Sequence, residues 1–466
     1  MLTLSRHILQ SISVLFVLSL LRVGGANAQV TATWRQDIKH ALNSANRACM
    51  MAADQNGDLY VLATTWIPDS TRDILLLKVD KTGREVWRRI YDAGLRLDDQ
   101  PVGLTVDRFG NAWICGTTRT SENDADVLVL LFDPEGTMLF QDQFGLSPGK
   151  FDGPTRIVCD QTGAAFVSGY LTSVDSGIDQ LLLRYRPWGG RQWYRTVATL
   201  QMDIANDLVI DDSCSAFVVG TTDAAPHTAD MLICKYDSAG NLFWSYRFDG
   251  SRSDNDAGLR IVADDSSRYF VSGYVNRSGD RSDIPVLLFD SKGNVVLDKI
   301  FYGGTADGQA ARMEYNHDTL RILSEYTDYG LQRSGNHLLE YSGDGTQLFF
   351  LESLPGEIYY WWLDGADRRL VLAATVSSEE GTLRPAFLIP GKDSEFDYRW
   401  EDESVTGLAY IRQVLVANNA VYYFGDDAGE STGTLIIMRY DTDPEFHRTV
   451  QDKKDAKGKK QVPAHK

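Results

Sequence analysis

The stretch from Asp107 to Cys159 contains one complete copy of the unit from which this chain is built. It begins with the turn Asp107-Arg-Phe-Gly110 and continues through apolar segments at 112–118, 127–132, 138–144 and 155–159. Asp at the first position of such a turn accepts backbone N–H groups ahead of it, and Gly at the fourth tolerates the positive φ that closes a hairpin. The stretch therefore predicts four short strands joined by turns and loops.

The same turn recurs along the whole chain at a nearly constant interval. It starts at Asp54, Asp107, Asp160, Asp211, Asp264 and Asn316, and near Gly365 and Val416. The first intervals are 53, 53, 51 and 53 residues. Four strands in each period of this length are typical of a propeller blade. We predict an all-β fold, an eight-bladed β-propeller of four-stranded antiparallel blades. Seven blades are the alternative, because units six to eight have diverged from the others.

The N-terminal segment 31–37 has the pattern of an isolated outer strand and precedes the first complete unit. The last unit turns at Asp441 and has only residues 445–450 left for an outer strand. We therefore predict that the N-terminal strand completes the eighth blade and closes the ring, which removes exposed sheet edges. A single propeller domain would then span residues 29–450, and we expect a monomer.

The two ends of the chain differ from the repeated body. Residues 1–28 combine Arg6, an apolar run at 8–21 and the sequence Ala26-Asn27-Ala28, which predicts a secretory signal peptide. An uncleaved anchor is the alternative, and no later stretch is apolar enough to cross a membrane. Residues 451–466 are rich in Lys and predict a disordered tail, with an electrostatic tether as its alternative role. We therefore expect a secreted, periplasmic or cell-surface protein.

Charge and composition exclude several classes of partner. The formal net charge is −18, so the protein repels nucleic acid and anionic lipid, and we predict neither as a main partner. The five Cys residues are scattered without a C-x-x-C motif, and His occurs only seven times. This pattern predicts neither a disulfide framework nor a zinc site. We expect no cofactor.

Three stretches carry parts of a longer motif, residues 110–118 its first part and residues 73–87 and 230–244 its second part. The motif combines a Gly-Asn turn, a strand that ends in Gly-Thr-Thr, and Asp-x-x-Leu-x-x-Phe/Tyr-Asp-x-x-Gly-x-x-x-Trp. It resembles the bacterial SBBP-type β-propeller repeat, as does the segment Gly303-Gly304-x-x-Asp307. The resemblance implies a propeller in an exported or surface protein, in a family without a single known activity. The chain is less similar to quinoprotein-like repeats. It lacks the neighbouring Cys pair of quinone-binding dehydrogenases, so we expect no quinone.

Carboxylates recur in the loops that enter the predicted inner strands, at Asp99, Asp152, Asp203, Asp256 and Asp307. In a closed ring they would lie around one mouth of the central channel. They could bind a cation or a polar ligand, since hard cations require several oxygen ligands. Alternatively, each Asp caps its own loop or bonds the adjacent blade. We prefer the capping role, because a residue repeated in every blade usually serves the repeat, and we predict no metal site.

Arginines and aromatic residues are the other candidates for binding. The arginines on the predicted inner strands are Arg156, Arg260, Arg312 and Arg412. They could bind an anionic ligand, but we favour ion pairs with the mouth aspartates, since buried charges are rarely unpaired. The aromatic candidates are Trp66 and Tyr329 in loops on the face of the aspartates, and Trp362 in the run 359–362. Such rings could stack on a sugar or a peptide side chain.

The sequence contains no G-x-S-x-G elbow, no H-E-x-x-H motif and no phosphate-binding loop. We predict a secreted, non-catalytic propeller that binds a protein or a glycan through the face bearing the Asp-rich loops. One alternative is a carbohydrate-active hydrolase or lyase that uses channel-mouth carboxylates. The other is a cell-envelope assembly scaffold.

Overall fold

The computed structural model describes residues 32–39, 45–66, 71–94, 96–175, 177–199, 202–225, 228–250, 255–264, 266–277, 281–301, 307–316, 318–328, 333–351, 357–363, 370–377, 383–390, 396–402, 405, 410–417, 420–426 and 433–441. The predicted signal peptide (1–28) and Lys-rich tail (451–466) lie outside these residues. Within the described ranges, no helix has the length and apolar character needed to cross a membrane. The described residues form strands that we number β1 to β32.

The strands form separate four-stranded antiparallel sheets, eight in all among the described residues. The first sheet contains β2 (Ala45–Ala53), β3 (Leu59–Trp66), β4 (Asp73–Val79) and β5 (Glu85–Tyr91). The second contains β6 (Asp99–Val106), β7 (Ala112–Ser121), β8 (Asp124–Phe132) and β9 (Met138–Phe144). The third contains β10 (Gly153–Cys159), β11 (Ala165–Ser173), β12 (Gly177–Tyr185) and β13 (Arg191–Val197). The fourth contains β14 (Asp203–Ile210), β15 (Ala216–Ala225), β16 (Thr228–Tyr236) and β17 (Leu242–Phe248).

The remaining sheets follow the same order with one exception. The fifth contains β18 (Asp256–Ala263), β19 (Tyr269–Arg277), β20 (Arg281–Phe289) and β21 (Val295–Phe301). The sixth contains β22 (Asp307–Asn316), β23 (Thr319–Asp328), β24 (Arg333–Ser342) and β25 (Gln347–Leu351). The seventh contains β26 (Glu357–Leu363), β27 (Leu370–Ser377), β28 (Leu383–Pro390) and β29 (Phe396–Glu401). The eighth joins β30 (Tyr410–Ala417), β31 (Ala420–Asp426) and β32 (Leu435–Asp441) to the N-terminal β1 (Trp34–Ile38).

The N-terminal strand is therefore the outer strand of the last sheet, as expected from the sequence. Trp34 lies opposite Arg439 and Ile38 lies opposite Leu435 in an antiparallel pair. The eighth sheet also packs against the first, since one apolar core contains Ile38 and residues of β2, β3, β4, β31 and β32. Each sheet contacts the next, and β2 contacts both β6 and β30. The eight sheets agree with eight blades rather than seven.

The predicted Asp-x-x-Gly turns account for the hairpins. In the first sheet, Asp54 Oδ1 accepts the N–H groups of Asn56 at 2.9 Å and Asp58 at 3.0 Å. The Gly57 N–H donates to the Asp54 carbonyl at 3.1 Å, and Gly57 has φ 85°. The side chain thus binds amides that the turn leaves without a partner, and glycine supplies the left-handed backbone.

Tryptophans of four outer strands each contact a glycine of the next sheet. Trp87 of the first sheet lies over Gly136 in the second, and its indole N–H donates to the carbonyl oxygen of Pro134 at 2.9 Å. The same arrangement joins Trp34 to Gly83, Trp193 to Gly240 and Trp244 to Gly293. Because Trp34 belongs to β1, this contact also fastens the N-terminal strand to the first sheet. In the Gly-x-x-x-Trp part of the sequence motif, the Trp therefore contacts a Gly of the next sheet, and the Gly contacts a Trp of the preceding sheet.

Buried cations reinforce the turns from inside the sheets. The Nζ atom of Lys78 lies 3.5 Å from Asp54 and 3.3 Å from Asp58, and it lies 4.9 Å from the centre of the Tyr60 ring. Equivalent pairs join Arg184 to Asp160 and Lys235 to Asp211. Each cation thus balances the charge of a carboxylate that the fold has removed from water.

Candidate functional site

The connection between neighbouring sheets ends in a buried aspartate at several places in the chain. Asp99, Asp203 and Asp256 begin β6, β14 and β18, and Asp152 immediately precedes β10. Each of the four is at most 1% exposed. Since the first strands of these sheets pack against one another, the four carboxylates lie at corresponding ends of neighbouring strands. Asp307 begins β22 and pairs with Thr327, but its side chain lies outside the described part of the chain.

These carboxylates accept hydrogen bonds from the backbone around them. The Oδ2 atom of Asp99 accepts the N–H group of Ala93 at 2.8 Å. In the same way, Oδ2 of Asp203 accepts the N–H group of Thr199 at 2.6 Å, and Oδ2 of Asp256 accepts that of Gly250 at 2.5 Å. A second bond reaches the strand opposite, from Thr172 to Asp152 at 2.6 Å and from Asn276 to Asp256 at 3.0 Å. The aspartates therefore hold the connecting loops against their own sheets. Such bonds are those of aspartates that cap their own loops.

Burial sets the ionisation of these groups. Removal from water raises the pKa of Asp152 to about 6 and that of Asp256 to about 6, although backbone N–H donors oppose the change. Exposed turn aspartates behave in the opposite way. Hydrogen bonds from the Asn294 side chain and nearby backbone lower the pKa of Asp290. The two series of repeated aspartates thus differ in their environment although each serves a loop or turn.

A second series of carboxylates was missed as a site by the sequence analysis. It lies at or near the start of the third strands, at Asp73, Asp126, Asp179, Asp230 and Asp283. Its intervals of 53, 53, 51 and 53 residues repeat those of the turns, and this is the signal that could have revealed it. In the structure the two series meet. One carboxylate oxygen from each of Asp73, Asp92 and Asp99 lies within 4.8 Å of the others, and Asp230, Asp249 and Asp256 form an equivalent cluster.

The candidate arginines make a different set of contacts from the one expected. Arg156 Nε lies 3.5 Å from Oδ1 of Asp207, which occupies the equivalent position in the next repeat rather than the channel mouth. Arg260 donates from Nε to a backbone carbonyl of the sixth sheet at 2.6 Å. Arg412 Nε lies 3.4 Å from a carboxylate of its own sheet. Arg312 is partly buried on β22. Arg156 and Arg260 thus link neighbouring first strands, and Arg412 links the two strands of one hairpin.

The aromatic candidates are only partly described. Trp66 ends β3 and is half-buried, and the Arg72 guanidinium carbon lies 6.0 Å from its ring centre. Trp362 lies in β26 opposite Val371, and its side chain is outside the described part of the chain. Tyr329 lies outside the described residues altogether.

Four exposed apolar side chains lie on loops at the end of the sheets that carries the aspartates. We define this loop surface by Leu146, Phe151, Val174 and Met202, which are 54%, 46%, 73% and 38% exposed. Phe151 and Met202 immediately precede the buried Asp152 and Asp203. Leu146 lies in the same connection as Phe151, and Val174 lies in the hairpin between β11 and β12.

Backbone contacts bring these four residues onto one side of the second, third and fourth sheets. The Thr172 hydroxyl donates to the Phe151 carbonyl at 2.6 Å, so the β11 end that leads to Val174 is attached to Phe151. On the other side of that hairpin, Ile178 forms a bridge with Met202. The apolar side chains therefore project from a continuous, hydrogen-bonded set of loops.

Comparisons with known proteins concern the fold alone. No protein-family model matches the chain, and no curated protein matches its sequence. The structure is similar to Sqt1 from Chaetomium thermophilum, with a TM-score of 0.52, 9% identity and coverage of 87% of this chain and 99% of that chain. The WD40 domain of SCAP from fission yeast gives a TM-score of 0.48 at 8% identity, over 87% of this chain and 98% of that one. The β-propeller domain of the Trilobed protease from Pyrococcus furiosus gives 0.43 at 8% identity, over 76% of this chain and 98% of that one. At 9% identity the similarity to Sqt1 concerns the fold alone.

Proposed function

We propose that this protein is an exported, non-catalytic, eight-bladed β-propeller that binds a protein partner through its loop surface. In this proposal, β1 closes the ring and the sheets hold the loops in fixed positions. Export rests on the signal-like segment at residues 1–28, and closure rests on the pairing of β1 with β32. The single observation that carries the binding function is the exposure of Leu146, Phe151, Val174 and Met202 on adjacent loops.

Apolar side chains grouped on hydrogen-bonded loops are a source of binding energy. Burying one Val, Leu, Phe or Met side chain is worth about 1.5–3 kcal/mol, so four such residues could supply the centre of an interface. The loops are already tied to the sheets through Asp152, Thr172 and Asp203, and little conformational entropy would be lost when a partner binds. A grouped apolar surface on an otherwise acidic protein is typical of a protein-binding site.

The chemistry of the loop surface favours a protein over a glycan. Leu146, Val174 and Met202 are aliphatic, whereas sugars are usually held against aromatic faces. The one aromatic ring, that of Phe151, has the Arg119 guanidinium carbon 5.8 Å from its centre. Aliphatic side chains beside an arginine suit the mixed apolar and polar surface of a folded protein or a peptide.

The buried carboxylates support a structural role better than a catalytic one. Asp152 and Asp256 have raised pKa values, which is one property of a catalytic acid. Both are nonetheless enclosed, and backbone amides bind Oδ1 of Asp152 and both oxygens of Asp256. A general acid must reach the substrate atom that it protonates, and these carboxylates face their own loops.

Photo-crosslinking in the producing cells tests the proposal. A benzophenone amino acid would replace Val174 in the full chain, and in a matched control it would replace Trp188, which is equally exposed at 73% but lies in the turn between β12 and β13 at the other end of the strands. We expect a discrete protein adduct from position 174 and a different pattern from position 188. The adduct should disappear when Phe151→Ser and Met202→Ser are combined.

Two results would contradict the proposal. One is the same set of adducts from both positions, because contact would then be unrelated to the loop surface. The other is an adduct from position 174 that persists in the Phe151→Ser, Met202→Ser protein. Far-UV circular dichroism and the thermal midpoint of each variant establish that the sheets are intact before either result is interpreted.

A further inference from the structure

The cluster of Asp73, Asp92 and Asp99 joins the first sheet to the second. Asp73 begins β4 of the first sheet, Asp99 begins β6 of the second, and Asp92 lies in the connection between them. One oxygen from each carboxylate lies within 4.8 Å of the others. Asp99 is buried, Asp73 is half-buried and Asp92 is exposed, so the cluster opens to solvent on the side of Asp92.

One deeply buried carboxylate in this cluster has an oxygen without a hydrogen-bond partner among the described residues. Asp99 is 1% exposed, and its Oδ1 atom has no partner, while Oδ2 accepts the Ala93 N–H. In the equivalent Asp256, the N–H group of Asn276 binds this second oxygen. In the first cluster the residue at the position of Asn276 is Arg119, and its N–H group donates to the Asp98 carbonyl at 3.2 Å instead of to Asp99. The local backbone therefore leaves Asp99 Oδ1 available.

A buried hydroxyl lies beside this oxygen. Thr118 pairs directly with Asp99 across β6 and β7 and is also 1% exposed. Burial raises the pKa of Asp99, and the Thr118 hydroxyl opposes this rise as a hydrogen-bond donor, so the hydroxyl is adjacent to the carboxylate. Asp73 contributes a further buried oxygen, Oδ1. The site thus brings together acidic and neutral oxygen atoms in a largely buried place, where unbalanced carboxylate charge is costly.

The matched cluster of Asp230, Asp249 and Asp256 shows how the same fold compensates these charges with its own residues. Arg247 Nε and Nη2 contact Asp230 Oδ2 there. Its position corresponds to Ile90 in the first sheet, because Leu232 pairs with Arg247 as Leu75 pairs with Ile90.

The hydroxyl is also absent from that cluster. Asp256 pairs with Val275, where Asp99 pairs with Thr118. The cluster of Asp230, Asp249 and Asp256 therefore has a guanidinium and a valine, and the cluster of Asp73, Asp92 and Asp99 has an isoleucine and a hydroxyl.

We infer that a hard divalent cation, such as Ca²⁺, binds Asp73, Asp92 and Asp99 together with Thr118 Oγ1, and that it connects the first sheet to the second. Oxygen atoms from carboxylates and a hydroxyl are the ligands that Ca²⁺ prefers, and water would complete its coordination from the side of Asp92. The ion takes the role that Arg247 performs in the matched cluster. This site is distinct from the loop surface, whose four residues lie in the β9–β10 and β13–β14 connections and in the β11–β12 hairpin.

The electrostatic environment agrees with a site for a cation. One oxygen of each of Asp92 and Asp99 lies within 4.8 Å of an oxygen of Asp73. The charged groups that act on Asp73 are thus carboxylates, and the nearby Arg72 lies 3.5 Å from Asp98 instead. A divalent ion would relieve this repulsion directly.

Calcium titration of the full mature chain tests the inference, with isothermal calorimetry and Tb³⁺ luminescence as readouts after removal of bound metal with a chelator. Tyr91 directly precedes Asp92 in the sequence and is the aromatic donor for sensitised Tb³⁺ emission. We expect saturable binding and a thermal midpoint that rises with Ca²⁺. Asp92→Asn should weaken binding about tenfold or more, because it removes one charged ligand.

Two further variants separate the cluster from general acidity. Asp249→Asn removes the same exposed carboxylate from the matched cluster and should leave Ca²⁺ affinity unchanged. Ile90→Arg introduces the guanidinium of the matched cluster and should abolish binding while raising the thermal midpoint in chelator. The inference is overturned if the wild-type chain shows no saturable Ca²⁺ binding. It is equally overturned if Asp249→Asn weakens binding as much as Asp92→Asn, or if Ile90→Arg, with its fold intact, binds Ca²⁺ like the wild type.

Discussion

Replacing Gly136 with alanine tests whether the tryptophan contact between sheets tolerates any added volume. Gly136 has φ 81°, and a Cβ atom there would lie 2.7 Å from Cδ2 and 2.9 Å from Cε2 of Trp87. Trp87 is only 9% exposed, and its indole N–H is bound to the Pro134 carbonyl. The ring therefore cannot withdraw without losing packing and a hydrogen bond.

Two costs determine the expected magnitude. The left-handed conformation costs a non-glycine residue about 1–2 kcal/mol, and forcing a methyl group into a packed contact costs about 1–3 kcal/mol. Gly136→Ala should therefore lower the free energy of unfolding by about 2–5 kcal/mol. Gly149 is a matched control, because its φ is 76° and nothing lies within 4 Å of the added Cβ. Gly149→Ala should show only the backbone cost of about 1–2 kcal/mol.

A double-mutant cycle isolates the contact itself. In a Trp87→Ala background the ring is gone, so Gly136→Ala should cost only the backbone part, and the two changes should be non-additive by about 1–3 kcal/mol. The assay is equilibrium urea unfolding followed by circular dichroism, with hydrogen exchange of the β4–β5 and β8–β9 amides as a local measure. Equal losses for Gly136→Ala and Gly149→Ala, or simple additivity in the cycle, would refute the reasoning.

Two further predictions concern buried charge. Lys78→Met should destabilise the protein by about 3–5 kcal/mol at neutral pH because it leaves Asp54 buried without its cation. Lys81→Met, at an exposed position, should change stability by less than about 0.5 kcal/mol. Urea unfolding compares the two variants, and equal effects would contradict the role of the Lys78–Asp54 pair. Asp152→Asn should alter the pH dependence of the folding stability. Because the folded-state pKa of Asp152 is raised from 3.8 to about 6, the folded state binds the proton more tightly, and this group's contribution to stability falls as the pH rises from about 4 to about 6. The thermal midpoint of the variant minus that of the wild type should therefore be larger at pH 7 than at pH 4, and a difference independent of pH would contradict the assignment.

Local chemistry explains why the strands and turns were predictable. The Asp-x-x-Gly turns satisfy their own amides, so the sequence signal and the structure coincide, and the predicted strand 138–144 is observed as Met138–Phe144. The second strand of that unit was predicted to end at Thr118 and in fact continues to Ser121, because Arg119 and Ser121 still pair with β8. Strand ends depend on a partner strand that local sequence does not specify.

The candidate site was only partly predictable. The aspartates that end the connections were found from their interval, but the arginines were expected to meet them, and Arg156 instead lies beside Asp207. The loop surface was missed because its members do not recur in every unit. Leu146, Phe151, Val174 and Met202 become a group only where Thr172 and Ile178 bring three connections together.

Sequence alone determined the period, the four-stranded unit and the outer-strand role of the N-terminal segment, because each follows from turn chemistry and from the number of strands that the last unit lacks. Tertiary structure decided which of the repeated carboxylates have their negative charge balanced by a cationic side chain. Asp230 meets Arg247, while at the equivalent place Asp73 has Ile90, and Asp99 keeps an oxygen that no backbone amide reaches. The physical reason is that the electrostatic energy of a carboxylate depends on the atoms a few ångströms away, and those atoms come from strands and sheets that only folding brings together.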